Sequence, residues 1–255
     1  FIRKGYSQGE NFISVSNKTR EDLHRFLGYV PPVSEVVYNG LNRAFEAREP
    51  AAARAAMEDK TGLHLRDGYI LHVGGNQWYK NRVGVIEIYD EWRKGANKNL
   101  PLLLIGATPS LSLKNRYEKS PFKKDIHFLT SIGDDMLLNA YSGASVFLFP
   151  SLAEGFGWPI AEAMACGCPV ITTNEPPMTE VGGEAAYYIP RRNTSDLNWA
   201  GNACEIVDKV FGLSLSERDS LIEKGLVNVC RFDQKNALDQ IEAIYKKVLL
   251  NYAKS

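Results

Sequence analysis

Ser145-Val146-Phe147-Leu148-Phe149 runs without a charge into Pro150-Ser151-Leu152-Ala153-Glu154-Gly155-Phe156-Gly157, and the chain continues as Trp158-Pro159-Ile160-Ala161-Glu162-Ala163-Met164-Ala165-Cys166-Gly167-Cys168-Pro169-Val170-Ile171-Thr172. The first five residues are a strand that demands burial on both faces. A glycine-bearing loop follows, then a helix over 159–166 and a second strand over 169–172. Proline suits the first helical position, where its missing N–H costs nothing. A strand, a helix and a second strand in so short a span form one βαβ unit, the building block of a parallel sheet.

The same alternation extends outward in both directions. Apolar runs at 69–73, 101–105, 126–129 and 186–189 read as further strands. Helical patterns fall at 81–94, 111–119 and 134–141, with a single turn near Thr179. The closing part is helical over 196–211, 216–229 and 234–252, and the Ala-rich segment 51–56 is a further helix. The expected fold is therefore α/β: a doubly wound, Rossmann-like parallel sheet with flanking helices. The opening reads differently, with strands at 12–16 and 35–38, a helix at 19–27 and a connector holding Pro31-Pro32. A domain edge is expected near residue 30. Residues 1–29 then form the tail of a preceding domain, and 30–255 one domain with closing helices. The chain opens on Phe1 rather than Met, so it is expected to be part of a longer protein.

In the commonest doubly wound order the strands at 69–73 and 145–149 are neighbours, and ligands bind beyond their carboxyl ends. The loop after the first is Gly74-Gly75-Asn76-Gln77-Trp78-Tyr79-Lys80; the loop after the second holds Glu154-Gly155-Phe156-Gly157. The two should share one crevice. The free N–H groups at the start of the following helix make an anion site. Gly155 and Gly157 let backbone approach a ligand, and Lys80 adds a full positive charge. Glu162 is a carboxylate in an otherwise apolar helix, where burial without partners is costly; a ligand's hydroxyl groups are expected to satisfy it. The plainer readings are a helix-start acid for Glu154, a salt-bridged core residue for Glu162 and a solvated loop lysine for Lys80. Trp78 and Tyr79 are either surface cover or sugar-stacking groups.

Thirty basic residues balance thirty acidic ones, so the electrostatic signature of a nucleic-acid binder is missing. No apolar stretch approaches the roughly 20 residues that span a bilayer, and no signal peptide opens the chain. Cys166, Cys168, Cys204 and Cys230 read as free thiols of a reducing cytoplasm, and the four histidines have no metal-ligand spacing. The loop after the first strand is not Gly-x-Gly-x-x-Gly, and the second strand lacks a terminal acid. Both argue against a dinucleotide dehydrogenase.

Residues 149–170, with two glutamates separated by seven residues, resemble the signature of the family-four (group 1) retaining GT-B glycosyltransferases. Lys80-Asn81 is similar to that family's first-loop lysine, and Val37-Tyr38-Asn39-Gly40 to the opening strand of its C-terminal domain. Residues 12–27 resemble the last strand and helix of its N-terminal domain, and the helix after Phe232-Asp233 the one that returns to it. The resemblance implies the C-terminal, donor-binding half of a GT-B fold, with the N-terminal acceptor domain as the missing partner. Any peripheral membrane association would come through that missing domain.

The implied donor is a nucleotide diphosphate sugar, transferred with retention and without an obligatory metal or other cofactor, as in polysaccharide biosynthesis. The resemblance implies that Lys80 neutralises the diphosphate, Glu154 contacts sugar hydroxyls and Glu162 accepts from the ribose; Lys80 and Glu154 form the catalytic pair. Donor binding is expected at Gly74, Gly75, Asn76, Lys80, Glu154, Gly155, Phe156, Gly157, Trp158, Pro159, Ile160 and Glu162, with the base near Leu129 and Ser131. One departure stands out: the family often carries an arginine where this chain has Gly75, and Asn76 and Arg82 are the residues placed to compensate. The alternatives are a catalytically silent nucleotide-sugar-binding module and a GT-B sugar-nucleotide epimerase.

Overall fold

The computed structural model describes residues 5–41, 45–96, 99–193 and 195–252 of the chain; the first four residues of the 1–29 segment lie outside it. Six strands form the main sheet: β3 (Ile70–Val73), β4 (Leu102–Ile105), β5 (Ile126–Leu129), β6 (Val146–Phe149), β7 (Val170–Thr173) and β8 (Ala186–Ile189). They lie in the order β5-β4-β3-β6-β7-β8, with every pairing parallel. The chain therefore reverses direction between β3 and β6, as the doubly wound reading requires, and the crevice opens above that pair.

Period-two alternation sorts the strand side chains onto two faces. Leu71, Leu103, Phe147 and Phe149 enter one core, beneath α2 (Pro50–Thr61), α5 (Asp134–Gly143) and α6 (Trp158–Ala165). Ile70, Leu102, Leu104, Val146 and Leu148 enter the other, beneath α3 (Arg82–Gly95), α4 (Leu111–Glu118) and α8 (Trp199–Phe211). Each of these strand residues is essentially inaccessible to solvent. Burying such a side chain contributes about 1.5–3 kcal/mol, so the two faces anchor the rim that carries the loops. Beyond β7 lies α7 (Met178–Gly182); α9 (Leu215–Val229) and α10 (Gln234–Tyr252) close the chain. Ser214 and Glu217 form a reciprocal capping box at the start of α9.

The opening segment forms a small sheet of its own. β1 (Asn11–Ser14) pairs in parallel with β2 (Val33–Val36) across α1 (Asn17–Leu27). The second strand begins two residues earlier than the sequence pattern suggests, because Val33 is buried and pairs with Asn11. Residue 30, where composition places a boundary, falls between two paired strands.

Candidate functional site

The loop after β3 ends in a short 3-10 turn, Trp78–Lys80, and Asn81 takes a left-handed conformation (φ 50°) to start α3. Asparagine tolerates that conformation better than most residues. Its side chain does two things: Oδ1 accepts from the Gly84 amide, and Nδ2 donates to the Pro150 carbonyl at 3.0 Å. The second bond ties the start of α3 to the end of β6. Two more bonds stitch the loops, since the Leu152 amide and the Ser151 hydroxyl both reach the Tyr79 carbonyl, at 2.6 and 2.9 Å. Neighbouring strands bring the loops together, and these bonds fix their register.

The result is an ion pair. Lys80 Nζ lies 2.7 Å from Glu154 Oε1, with both side chains largely withdrawn from water at 14% and 8% exposure. Ser151 Oγ also lies 2.7 Å from Glu154 Oε1. Its single proton can go there or to the Tyr79 carbonyl, so the hydroxyl is shared between the two loops. The ammonium group sits 5.1 Å from the centre of the Phe149 ring and 5.5 Å from that of Tyr79. Trp78, by contrast, is exposed.

Behind this pair the chain turns through Gly155-Phe156-Gly157 into α6. Gly157 has φ +110°, a conformation that side chains disfavour, and a Cβ there would press on Ile160 Cδ1 at 3.3 Å. Among the described residues, nothing accepts from the backbone amides of Gly155, Phe156 or Gly157. Free amides beside the start of a helix are hydrogen-bond donors of the kind that suits an anion. Phe156 and Ile160 contribute backbone only: both side chains are buried in the core, and the Ile160 amide is committed to the Gly157 carbonyl at 3.0 Å. Trp158 and Pro159 are half-buried at the helix start.

Glu162 has a protein donor that sequence reasoning missed. Its Oε2 accepts from Tyr141 Oη at 2.8 Å, and a carboxylate can accept further hydrogen bonds beside that one. Burial first, and then the Glu162 charge, push the Tyr141 phenol well above its usual range. It therefore stays a donor at any physiological pH. Nothing in the spacing of Tyr141 reveals this role; α5 and α6 meet only in the folded chain.

Asn76 and Arg82, the residues placed to compensate for Gly75, are both engaged with the protein. Arg82 is buried, and its Nη1 braces Asn76 Oδ1 and the Ala107 carbonyl, each at 2.8 Å. Asn76 Nδ2 donates to the Thr108 carbonyl at 2.6 Å. The two residues thus tie the β3 loop to the loop after β4. Gly106 permits the close approach there: its φ is +139°, and a Cβ would lie 2.1 Å from the Gly74 carbonyl oxygen. Beneath the loop lies His72, wholly buried, with Nδ1 donating to the Leu148 carbonyl at 2.9 Å. Burial, helped by Arg82 and Lys80, pushes its pKa down to about 3, so it is a neutral imidazole. Leu129 ends β5 on the same rim, and Ser131 lies two residues beyond it with φ 57°. Among the described residues no group of His, Cys, Asp and Glu could hold a metal ion, and no helix is long and apolar enough to cross a membrane. Cys166 and Cys168 are buried free thiols.

The family model for glycosyl transferases group 1 matches residues 53–203, more than half of the chain and all of the crevice. The chain belongs to that family. It is 28% identical over 249 residues to O-antigen chain mannosyltransferase B of Escherichia coli, covering 96% of this chain and 62% of that protein. To O-antigen chain mannosyltransferase RfbU of Salmonella typhimurium it is 25% identical over 189 residues, covering 74% of this chain and 49% of that one. It therefore spans only about half to three-fifths of the length of these curated relatives. The fold is similar to that of Anabaena HepE, solved in complex with UDP and glucose (TM-score 0.79, 14% identity, 96% of this chain and 67% of that one). GT-B glycosyltransferases share this architecture.

Proposed function

We propose that this chain is the donor-binding half of a retaining glycosyltransferase that takes its sugar from a nucleotide diphosphate. The observation that carries the reading is the meeting of Lys80 and Glu154, 2.7 Å apart, beside the free amides of Gly155–Gly157. A diphosphate entering the crevice finds one full charge and several aligned N–H donors. Negative charge builds on the departing diphosphate as the glycosidic carbon becomes oxocarbenium-like. Donors fixed in place stabilise that charge most in the transition state, and each is typically worth about 2.7–4 kcal/mol. Glu154, released from Lys80 by the phosphate, turns to the sugar hydroxyls. Glu162, held by Tyr141, accepts from the ribose. The base lies towards Leu129 and Ser131. Lys80 and the end of α6 supply the positive field, so no metal is obligatory.

The two O-antigen mannosyltransferase relatives favour a hexose of the mannose type, transferred to a growing glycan. Residues 1–29 belong to the tail of an acceptor domain and 30–255 to the donor domain, so the chain alone binds donor and transfers poorly. The test is calorimetry of UDP-, GDP- and ADP-sugars against this chain, followed by a transfer assay with the acceptor domain present. Binding of one sugar nucleotide, with transfer only in the longer protein and insensitive to EDTA, is expected. Failure to bind any of the three, or loss of transfer in EDTA with recovery in magnesium or manganese, overturns the reading or its metal-free form respectively.

A further inference from the structure

The donor loop is also gripped from its outer side. Two hydroxyls converge on one carbonyl: Ser16 Oγ lies 2.7 Å, and Thr19 Oγ1 2.8 Å, from the oxygen of Gly155. Both can donate at once. Ser16 still accepts from the Thr19 amide at 3.0 Å with a lone pair, which is its task as the N-cap of α1. The same helix end is locked in place by a second contact. The Asn17 and Lys18 amides each donate to the Glu180 carboxylate at 2.8 Å, and Asn17 Nδ2 and Tyr38 Oη donate to it at 3.1 Å. A carboxylate at a helix N-terminus is favourable, and Glu180 on α7 fixes where α1 stands.

The consequence follows from peptide geometry. The bond between Gly155 and Phe156 is trans and planar, so its N–H points away from its C=O. With the Gly155 oxygen held against α1, the Phe156 amide faces the opposite side, where nothing among the described residues accepts from it. Gly155 itself packs against nothing, since a Cβ there would meet only open space; beside the buried Phe156 ring, the two hydroxyls are the groups that hold the peptide's oxygen. We propose that Ser16 and Thr19 are positioning residues for the donor: they hold the 155–156 peptide so that its amide is presented to the diphosphate. Residues of the opening segment, on the far side of the chain's first boundary, thereby set the shape of the donor loop. The inference rests on the donor reading above and assigns to that site two residues with no place in its signature.

The test compares Thr19→Val, Thr19→Ser and the double variant Ser16→Ala/Thr19→Val in the full 255-residue chain. Titrations use GDP, UDP and ADP beside guanosine, uridine and adenosine, with Lys80→Ala as reference. Thr19→Val should weaken whichever diphosphate the wild type binds by about threefold to tenfold, and the double variant by more, while nucleoside affinity holds. Thr19→Ser should restore the wild-type value, and the Phe156 amide resonance should move in Thr19→Val without ligand and return in Thr19→Ser. An unchanged diphosphate affinity, an equal loss for nucleoside and diphosphate, or a stationary Phe156 resonance sinks the proposal. If Lys80→Ala discriminates between the ligands and Thr19→Val does not, only the clamp is wrong. If neither discriminates, or the wild type binds none of the three nucleotides, the donor reading falls and takes the clamp with it.

Discussion

The two loops of the crevice occupy adjacent strands yet are built on opposite plans. After β3 the charge is carried by a side chain, Lys80, and the loop is braced from below by Arg82 and Asn81. After β6 the donors are backbone amides, and the loop is held from outside by α1. A site made of side chains can drift in sequence as long as its scaffold survives. A site made of backbone cannot, because its geometry is the chain itself. The departure at Gly75 and the intact Glu154-Gly155-Phe156-Gly157 fall on the two sides of that line.

The sharpest way to break the comparison is to remove the side chain on which the first loop depends. Lys80→Ala should cost diphosphate binding about 1.5–3 kcal/mol, the range for a charge-assisted hydrogen bond, and leave the free nucleoside unaffected. Glu162→Ala should do the reverse, losing affinity for the ribose-bearing nucleoside by a similar amount. Titration of nucleoside, monophosphate and diphosphate against both variants decides it; an equal loss across all three ligands in Lys80→Ala means that Lys80 is no phosphate contact.

Glycine replacements test the backbone side of the contrast. Gly157→Ala forces a side chain into φ +110° and should cost about 2 kcal/mol of stability, measured by urea denaturation, with weaker diphosphate binding. Gly75→Ala meets only the flexible end of Gln77 at 2.5 Å, and its φ is not in the left-handed range. It should stay within about 0.5 kcal/mol of the wild type. Comparable losses at the two positions would erase the distinction between the loops.

His72 gives the β3 side a pH signature. Its unfolded imidazole takes up a proton below about pH 6.5, whereas the folded one resists until about pH 3. The unfolded state therefore binds more protons in this window, and stability falls as pH falls through it. Relative to His72→Gln, the wild type should lose about 1.4 kcal/mol per pH unit across that interval. Denaturation curves at pH 6.5 and 4.5 check it; a constant difference would place His72 in contact with water.

One further expected change is a gain. Gly75→Arg returns the cation that the family often carries there, and its Cβ would meet only the flexible end of the Gln77 side chain. Diphosphate affinity should rise by about threefold to tenfold, as for one exposed charge-assisted bond. No gain would mean that Arg82, although buried in its brace, already serves the ligand electrostatically.

Much of this was legible in the order of residues. Apolar runs such as Leu102–Ile105 and Val146–Phe149 can only be strands buried on both faces, and their spacing by helices dictates a parallel sheet whose reversal brings the β3 and β6 loops together. Pro159, Gly157 and Lys80 raise the expectation of an anion site because their chemistry is local: a helix start, a left-handed turn, a charge. What only the folded chain decided is who touches whom across distance. Tyr141 under Glu162, Glu154 against Lys80, Arg82 turned inward to Ala107, and Ser16 with Thr19 on the Gly155 carbonyl are contacts between elements far apart in sequence. Periodicity fixes which face of a helix or strand is buried; it carries no information on which polar group from another element will meet it there. That choice is made by packing, which decides which acceptors come within reach of a buried donor.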